Sequence, residues 1–187
     1  MLNSYYLKLL PVSLPFAERQ HYMHTMDLAS PSMPAGFEDY VPIVAALCAA
    51  VGAHVGQAYV TVDEKLLLVG QTQRRPGPHV DGCFYPALMS WEHGTGWNHY
   101  CNGLPVARMP VIVVSSVAAC RVWRGLFAGQ PAEGGDLSHL VLDAGELLPA
   151  NVGHWLSPDC VHESLPMTVN TARTFLRIAL PALDRRD

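Results

Sequence analysis

In the segment Arg75-Pro76-Gly77-Pro78-His79-Val80-Asp81-Gly82-Cys83, a histidine and an aspartate stand two positions apart, directly after a bend rich in Pro and Gly. Side chains of an extended segment alternate between faces, so His79 and Asp81 point one way and Val80 the other. An imidazole nitrogen beside a carboxylate oxygen is two thirds of a two-His, one-carboxylate site. Such a site grips a divalent metal from one side and leaves coordination positions open. The third ligand must come from far along the chain. Of the nine histidines, at positions 21, 24, 54, 79, 93, 99, 139, 154 and 162, His162 is the candidate. It sits in Ser157-Pro158-Asp159-Cys160-Val161-His162-Glu163-Ser164, which reads as a tight turn entering a short strand.

A strongly alternating strand follows from Thr171. Arg173, Phe175, Arg177 and Ala179 share one face, and Thr174, Leu176, Ile178 and Leu180 share the other. Two arginines on one face of an otherwise apolar strand are costly unless they meet anions. The guanidinium fork is the side chain best shaped to hold a carboxylate. Arg173 and Arg177 are therefore candidate anion-binding residues.

The H-x-D pair His79 and Asp81, the distal His162 and the arginine eleven positions later, Arg173, together resemble the Fe(II)/2-oxoglutarate-dependent oxygenase superfamily, of the phytanoyl and prolyl hydroxylase kind. The phrases PGPHVDG and SPDCVHES…RTFLRI carry the likeness, which spans residues 58–180. The resemblance implies a double-stranded β-helix, or jelly roll, with Fe(II) held by His79, Asp81 and His162. It also implies a 2-oxoglutarate co-substrate whose far carboxylate pairs with an arginine of the last strand. Arg173 matches that arginine best, with Arg177 as second contact or replacement. The implied reaction hydroxylates a small-molecule or peptide substrate and releases succinate and CO2. Two other readings keep the barrel: a cupin-like metal enzyme with no use for 2-oxoglutarate, and a catalytically inactive jelly-roll binding module.

The elements that must position these residues can be read from the rest of the chain. At 187 residues, with half of them hydrophobic and 15% charged, the chain has the composition of one globular domain. Residues 1–57 read as a helical N-terminal support and 58–180 as the barrel. A strand is expected over 1–12, a helix from Pro15 to Met26 capped by Ser13, and a clearer helix over 38–51. In that second helix, Pro42 lies in the first turn, an apolar stripe runs through Ile43, Val44, Leu47 and Val51, and Gly52 terminates.

Strands are expected over 58–62 and 66–72, joined by a turn at Asp63-Glu64, then over 109–117, 119–127, 137–142, 153–156, 160–164 and 171–180. The resulting class is mainly β, a jelly roll with flanking N-terminal helices, and an immunoglobulin-type sandwich is the structural competitor. Residues 86–110, rich in Gly and aromatic residues, read as a long loop, functional or mobile, in which His93, His99 and Tyr100 are exposed loop residues or line an entrance. Gln71 and Gln73 read as a solvent-facing strand edge or as contacts to the co-substrate, and the pair Arg74-Arg75 reads most simply as solvated charge that could also meet an acidic substrate. Trp123-Arg124 and Gly134-Gly135-Asp136 read as structural.

A net charge of −4 argues against general nucleic-acid binding. Five widely spaced cysteines without a C-x-x-C pair read as free thiols of a reducing, cytoplasmic compartment. Neither a signal peptide nor a membrane span is expected.

Overall fold

The computed structural model of the protein describes residues 1–81, 109–132 and 135–180 in full, and 83–85 and 90–92 as backbone. The strands are β1 (Leu2–Ser4), β2 (Tyr6–Pro11), β3 (Gln20–Asp27), β4 (Gln57–Leu67), β5 (Cys83–Tyr85), β6 (Ser90–Glu92), β7 (Val111–Ser115), β8 (Cys120–Trp123), β9 (Gly125–Phe127), β10 (Glu146–Leu147), β11 (Val152–Leu156), β12 (Val161–Ser164) and β13 (Thr171–Ala179). Among the described residues there is one short α-helix, α1 (Val41–Ala50), entered through a 3-10 turn at Glu38–Tyr40. Six strands form a sheet in the order β2-β11-β7-β13-β4-β3, and three form a second in the order β10-β8-β12. Two further pairs are β1 with β9 and β5 with β6. Every strand pairing among the described residues is antiparallel, and strands with one short helix make the protein mainly β. No described helix is long and apolar enough to cross a membrane.

The centre of the large sheet is β13, bonded to β4 on one side and β7 on the other. Leu176, Ile178 and Leu180 pack on Val60, Val62, Ile112 and Val114, and α1 covers this face with Val44 and Leu47. Each such fully buried aliphatic side chain contributes about 1.5–3 kcal/mol, which explains how a single three-turn helix stays docked. The opposite face brings Phe175 and Ala179 together with Val111, Val113, Cys120, Val122 and Leu156. That second core joins the large sheet to the three-stranded one. β13 is thus buried on both faces, and its arginines point into the space between sheets.

The N-terminal third departs from expectation. Residues 1–57 hold three strands and one helix, so the flanking helices reduce to α1. The helix expected over Pro15–Met26 is absent: Glu18 and Met23 have φ of 56° and 58°, and residues 20–27 form β3, the edge strand beside β4. Backbone pairing with β4 overrides the local helical signal there.

The turn expected at Asp63-Glu64 is absent as well, because β4 runs unbroken from Gln57 to Leu67. Both carboxylates are buried and paired. Asp63 lies 3.1 Å from Lys65, and Glu64 accepts from Tyr40 Oη at 2.6 Å and Arg19 Nη2 at 2.8 Å. β4 ends before the bend at Gly70, so there is no second strand over 66–72. Residues 137–142 form turns instead of a strand, closed by Leu140 N donating to Leu137 O. The strand expected over 119–127 is divided into β8 and β9 at Arg124.

Glu64 ties the N-terminal segment to the sheet, since it also accepts from the amides of Ala17 and Arg19. Burial pushes its pKa up, but the bonds from Arg19 and Tyr40 outweigh that and hold it below the ordinary value. A lowered carboxylate stabilises the fold above its unfolded pKa of about 4.3, and the contribution is lost as pH falls through the folded value. Glu64→Ala is expected to cost roughly 3 kcal/mol at neutral pH by stranding buried partners. Glu64→Gln should flatten the fall in Tm on acidification below about pH 4.3. Thermal melts from pH 3 to 7 check both.

Candidate metal centre

His79 lies in a short extended segment between two neighbours. It exchanges both backbone hydrogen bonds with His162 of β12, each 2.9 Å long, and its other edge is bridged to Asp136. Residues directly opposite in an antiparallel pair place their side chains on the same face. The two rings therefore stand together, centroids 4.4 Å apart and planes inclined at 55°. Val80 turns the other way, into a small core with Leu2, Trp123, Leu137 and Val161. Asp81 returns to the histidines' face.

The ligand atoms of His79, Asp81 and His162 lie within 4.8 Å of one another, and among the described residues no other such group of His, Cys, Asp or Glu forms. His162 Nε2 is 3.8 Å from Asp81 Oδ1, a span that two metal–ligand bonds of about 2 Å can bridge. In both rings Nδ1 faces a backbone carbonyl two residues back, Gly77 O at 2.7 Å and Cys160 O at 2.9 Å. A carbonyl only accepts, so Nδ1 carries a proton in each ring, and Nε2 is the nitrogen that each ring would offer to a metal. Burial, then the neighbouring His162, pushes His79 down to about 3, so its imidazole is neutral at physiological pH. For Asp81, burial pushes the pKa up, but Arg177, followed by His162 and His79, holds it at about 2. Asp81 Oδ2 is buried without a hydrogen-bond partner.

The two arginines of β13 occupy different positions. Arg177 Nη1 donates to Asp81 Oδ1 at 3.4 Å, beside the triad. Arg173 is 0% exposed, and its bonds go to neutral hydroxyls: Nε to Ser115 Oγ at 2.9 Å and Nη1 to Ser164 Oγ at 3.3 Å. Its Nη2 is buried with no hydrogen-bond partner. Burial pushes its pKa down, the expected result for a cation removed from water. Glu163, on β12, meets Arg121 at 3.0 Å and makes no ion pair with Arg173.

His79, Asp81, His162, Arg173 and Arg177 line one cavity of about 70 Å³, several times the space a water needs. Phe175, between the arginines on β13, forms its apolar wall, and Arg74 and Arg75 stand at its edge. Ser115 and Ser164, which seat Arg173, carry no local sequence signal; only the pairing of β7 and β12 with their neighbours brings them in. Cys120 also lines the cavity, where burial pushes its thiol up to about 12, and it is not one of the residues whose ligand atoms converge.

Gln73 is structural: its Nε2 donates to the carbonyls of Asp63 and Arg173. Gln71 closes a turn, accepting from Leu68 N. Trp123 donates to Asp143 O, and Arg124 lies over Tyr6. Cys48, Cys120 and Cys160 are free and buried. His93, His99, Tyr100, Cys101 and Gly134 lie outside the described residues, as does most of the expected loop over 86–110.

Comparison with protein-family models, with curated proteins and with solved structures gave no match. The fold and the site therefore stand on their own geometry: a mainly β protein with a His-Asp-His group that could hold a metal ion.

Proposed function

We propose that this chain is a non-haem Fe(II)/2-oxoglutarate-dependent oxygenase on a jelly-roll core. The observation that carries the reading is a conjunction in one cavity. A two-His, one-carboxylate group shares its space with a fully buried guanidinium whose hydrogen bonds go to two serine hydroxyls.

The residues fit the groups they would hold. Asp81 Oδ2 lacks a partner, which a cation supplies, and Arg173 Nη2 lacks one, which a carboxylate supplies. Two neutral imidazoles and one carboxylate suit Fe(II) and leave positions for a chelating 2-oxo acid. His79, Asp81 and His162 would hold the iron, and Arg173 the far carboxylate of 2-oxoglutarate. When bound, the pair supplies dioxygen activation, giving succinate, CO2 and a hydroxylated substrate.

The chain's own residues orient and shield. The Gly77 and Cys160 carbonyls fix both imidazole tautomers. Arg177 steadies the Asp81 carboxylate from behind. Phe175 and Val113 give the cavity apolar lining, which disfavours water beside the reacting groups. A cupin-like enzyme would leave Arg173 without an anion, at the cost of a buried cation serving nothing.

Anaerobic Fe(II) with 2-oxoglutarate should give a weak visible absorption band that is lost in His79→Ala. A wild-type protein that binds iron yet shows no change on adding 2-oxoglutarate would defeat the reading.

A further inference from the structure

Two of the buried polar atoms without hydrogen-bond partners belong to opposite charges on neighbouring strands: Nη2 of Arg173 on β13 and Oδ1 of Asp63 on β4. Lys65 stands directly opposite Arg173, and Asp63 directly opposite Phe175. Residues paired in this way share a face. Asp63 and Arg173 are therefore diagonal neighbours on the cavity side of the large sheet, a spacing that a long side chain spans. Gln73 ties the two backbones together, since its Nε2 donates to the carbonyls of both. Both residues are fully buried, where charges are little screened.

Other groups keep the pair from closing. Asp63 Oδ2 lies 3.1 Å from Lys65 and 3.8 Å from Arg74, while the bonded nitrogens of Arg173 go to Ser115 and Ser164. Burial lowers the pKa of Arg173; of the groups that oppose burial, Cys120 and Asp63, only Asp63 is a carboxylate. A buried cation with no anion near it is costly. One closed in a tight ion pair would have no fork to offer a ligand. A carboxylate held on the diagonal meets both needs.

Resting on the oxygenase reading, we infer that Asp63 is the resident counter-ion of Arg173, against which the far carboxylate of the co-substrate must compete. An entering carboxylate takes the open Nη2 and meets the repulsion of Asp63, which Lys65 restrains through Oδ2. Asp63 is thus a positioning residue that sets co-substrate affinity without lining the cavity.

The test titrates 2-oxoglutarate into the full chain loaded with Zn(II), which does not turn over. Asp63→Asn keeps the shape and removes the charge. It is expected to bind 2-oxoglutarate about tenfold tighter than the wild type, while melting at a lower temperature. A merely structural aspartate predicts a loss on both readouts. Lys65→Met, at a side chain 34% exposed, releases Asp63 toward Arg173 and should weaken 2-oxoglutarate binding several-fold. In the Asp63→Asn background the same substitution should change affinity less than about twofold.

A folded Asp63→Asn protein that binds 2-oxoglutarate no tighter than the wild type would overturn the inference. If that variant does not fold, Lys65→Met decides, and unchanged or tighter binding overturns it. An equal loss in both backgrounds would do the same, because Lys65 would then act as a distant cation and not through Asp63. Melting of the ligand-free protein separates this inference from the oxygenase reading. Arg173→Met is expected to raise Tm more in the Asp63→Asn background, where the guanidinium has lost its counter-ion, than in the wild type. That coupling in a protein that binds metal and ignores 2-oxoglutarate would uphold the Asp63–Arg173 pair and sink the oxygenase reading alone. Strictly additive effects would overturn the pair.

Discussion

Asp81→Ala is expected to weaken divalent-metal binding by more than a hundredfold, beyond the 10–100-fold typical when a residue supporting a metal ligand is lost. Asp81 is the one anionic member of the triad, and its neighbour Arg177 lies 3.4 Å from it. Removing the carboxylate leaves two imidazoles without an anionic ligand and brings a cation's field to bear on the incoming ion. Asp81→Asn, which keeps the shape and loses the charge, should fail nearly as badly. Calorimetric titration with Mn(II) measures the loss. Melting supplies a second readout: metal at a hundred times its Kd stabilises the wild type by about 2.7 kcal/mol, or roughly 5–10 °C for a domain of this size. Neither variant should show that gain. An Asp81→Ala protein that still binds one metal with wild-type affinity would remove Asp81 from the site.

Arg173→Met carries the second large effect, and its two readouts move in opposite directions. Removing the guanidinium should lower 2-oxoglutarate affinity by more than a hundredfold, in line with the roughly 3–5 kcal/mol attached to breaking a buried charge pair. In the absence of ligand, the same change should leave the protein as stable as the wild type or more so, by up to about 4 kcal/mol. Arg173 is buried among serine hydroxyls with one nitrogen lacking a hydrogen-bond partner, so an apolar chain of similar length relieves a desolvation cost. A purely structural arginine predicts the reverse, a large loss of stability and no effect on 2-oxo acids. Equilibrium unfolding of the ligand-free protein and titration with 2-oxoglutarate separate the two accounts.

What could be read from the chain followed physical range. The alternation along 171–180 placed Arg173, Phe175 and Arg177 on one face, and β13 has that arrangement because its period of two is intrinsic to a strand. The two-residue spacing of His79 and Asp81 likewise placed both on one face without knowledge of the fold. The apolar stripe of 38–51 marked α1 for the same reason.

The failures share a cause as well. Residues 20–27 carry a local pattern that helix and strand can both use, and only the exposed edge of β4 decides between them. Asp63 and Glu64 look like a turn because charge usually marks the surface. Their partners Lys65, Arg74, Arg19 and Tyr40 include residues up to 45 positions away, and no local window contains them all. The direct pairing of His79 with His162 was also invisible locally, although the residue types suggested it. Arg74 and Arg75 read as solvated charge for want of any sign that they border a cavity.

The most direct test of the account is a crystal soaked with Mn(II) and 2-oxoglutarate, with the metal located by its anomalous scattering. The account predicts one ion bonded to His79 Nε2, a carboxylate oxygen of Asp81 and His162 Nε2, with a carboxylate of the 2-oxo acid in the fork of Arg173. A metal bound elsewhere, or a 2-oxo acid lying away from Arg173 in a crystal that holds both, would contradict it.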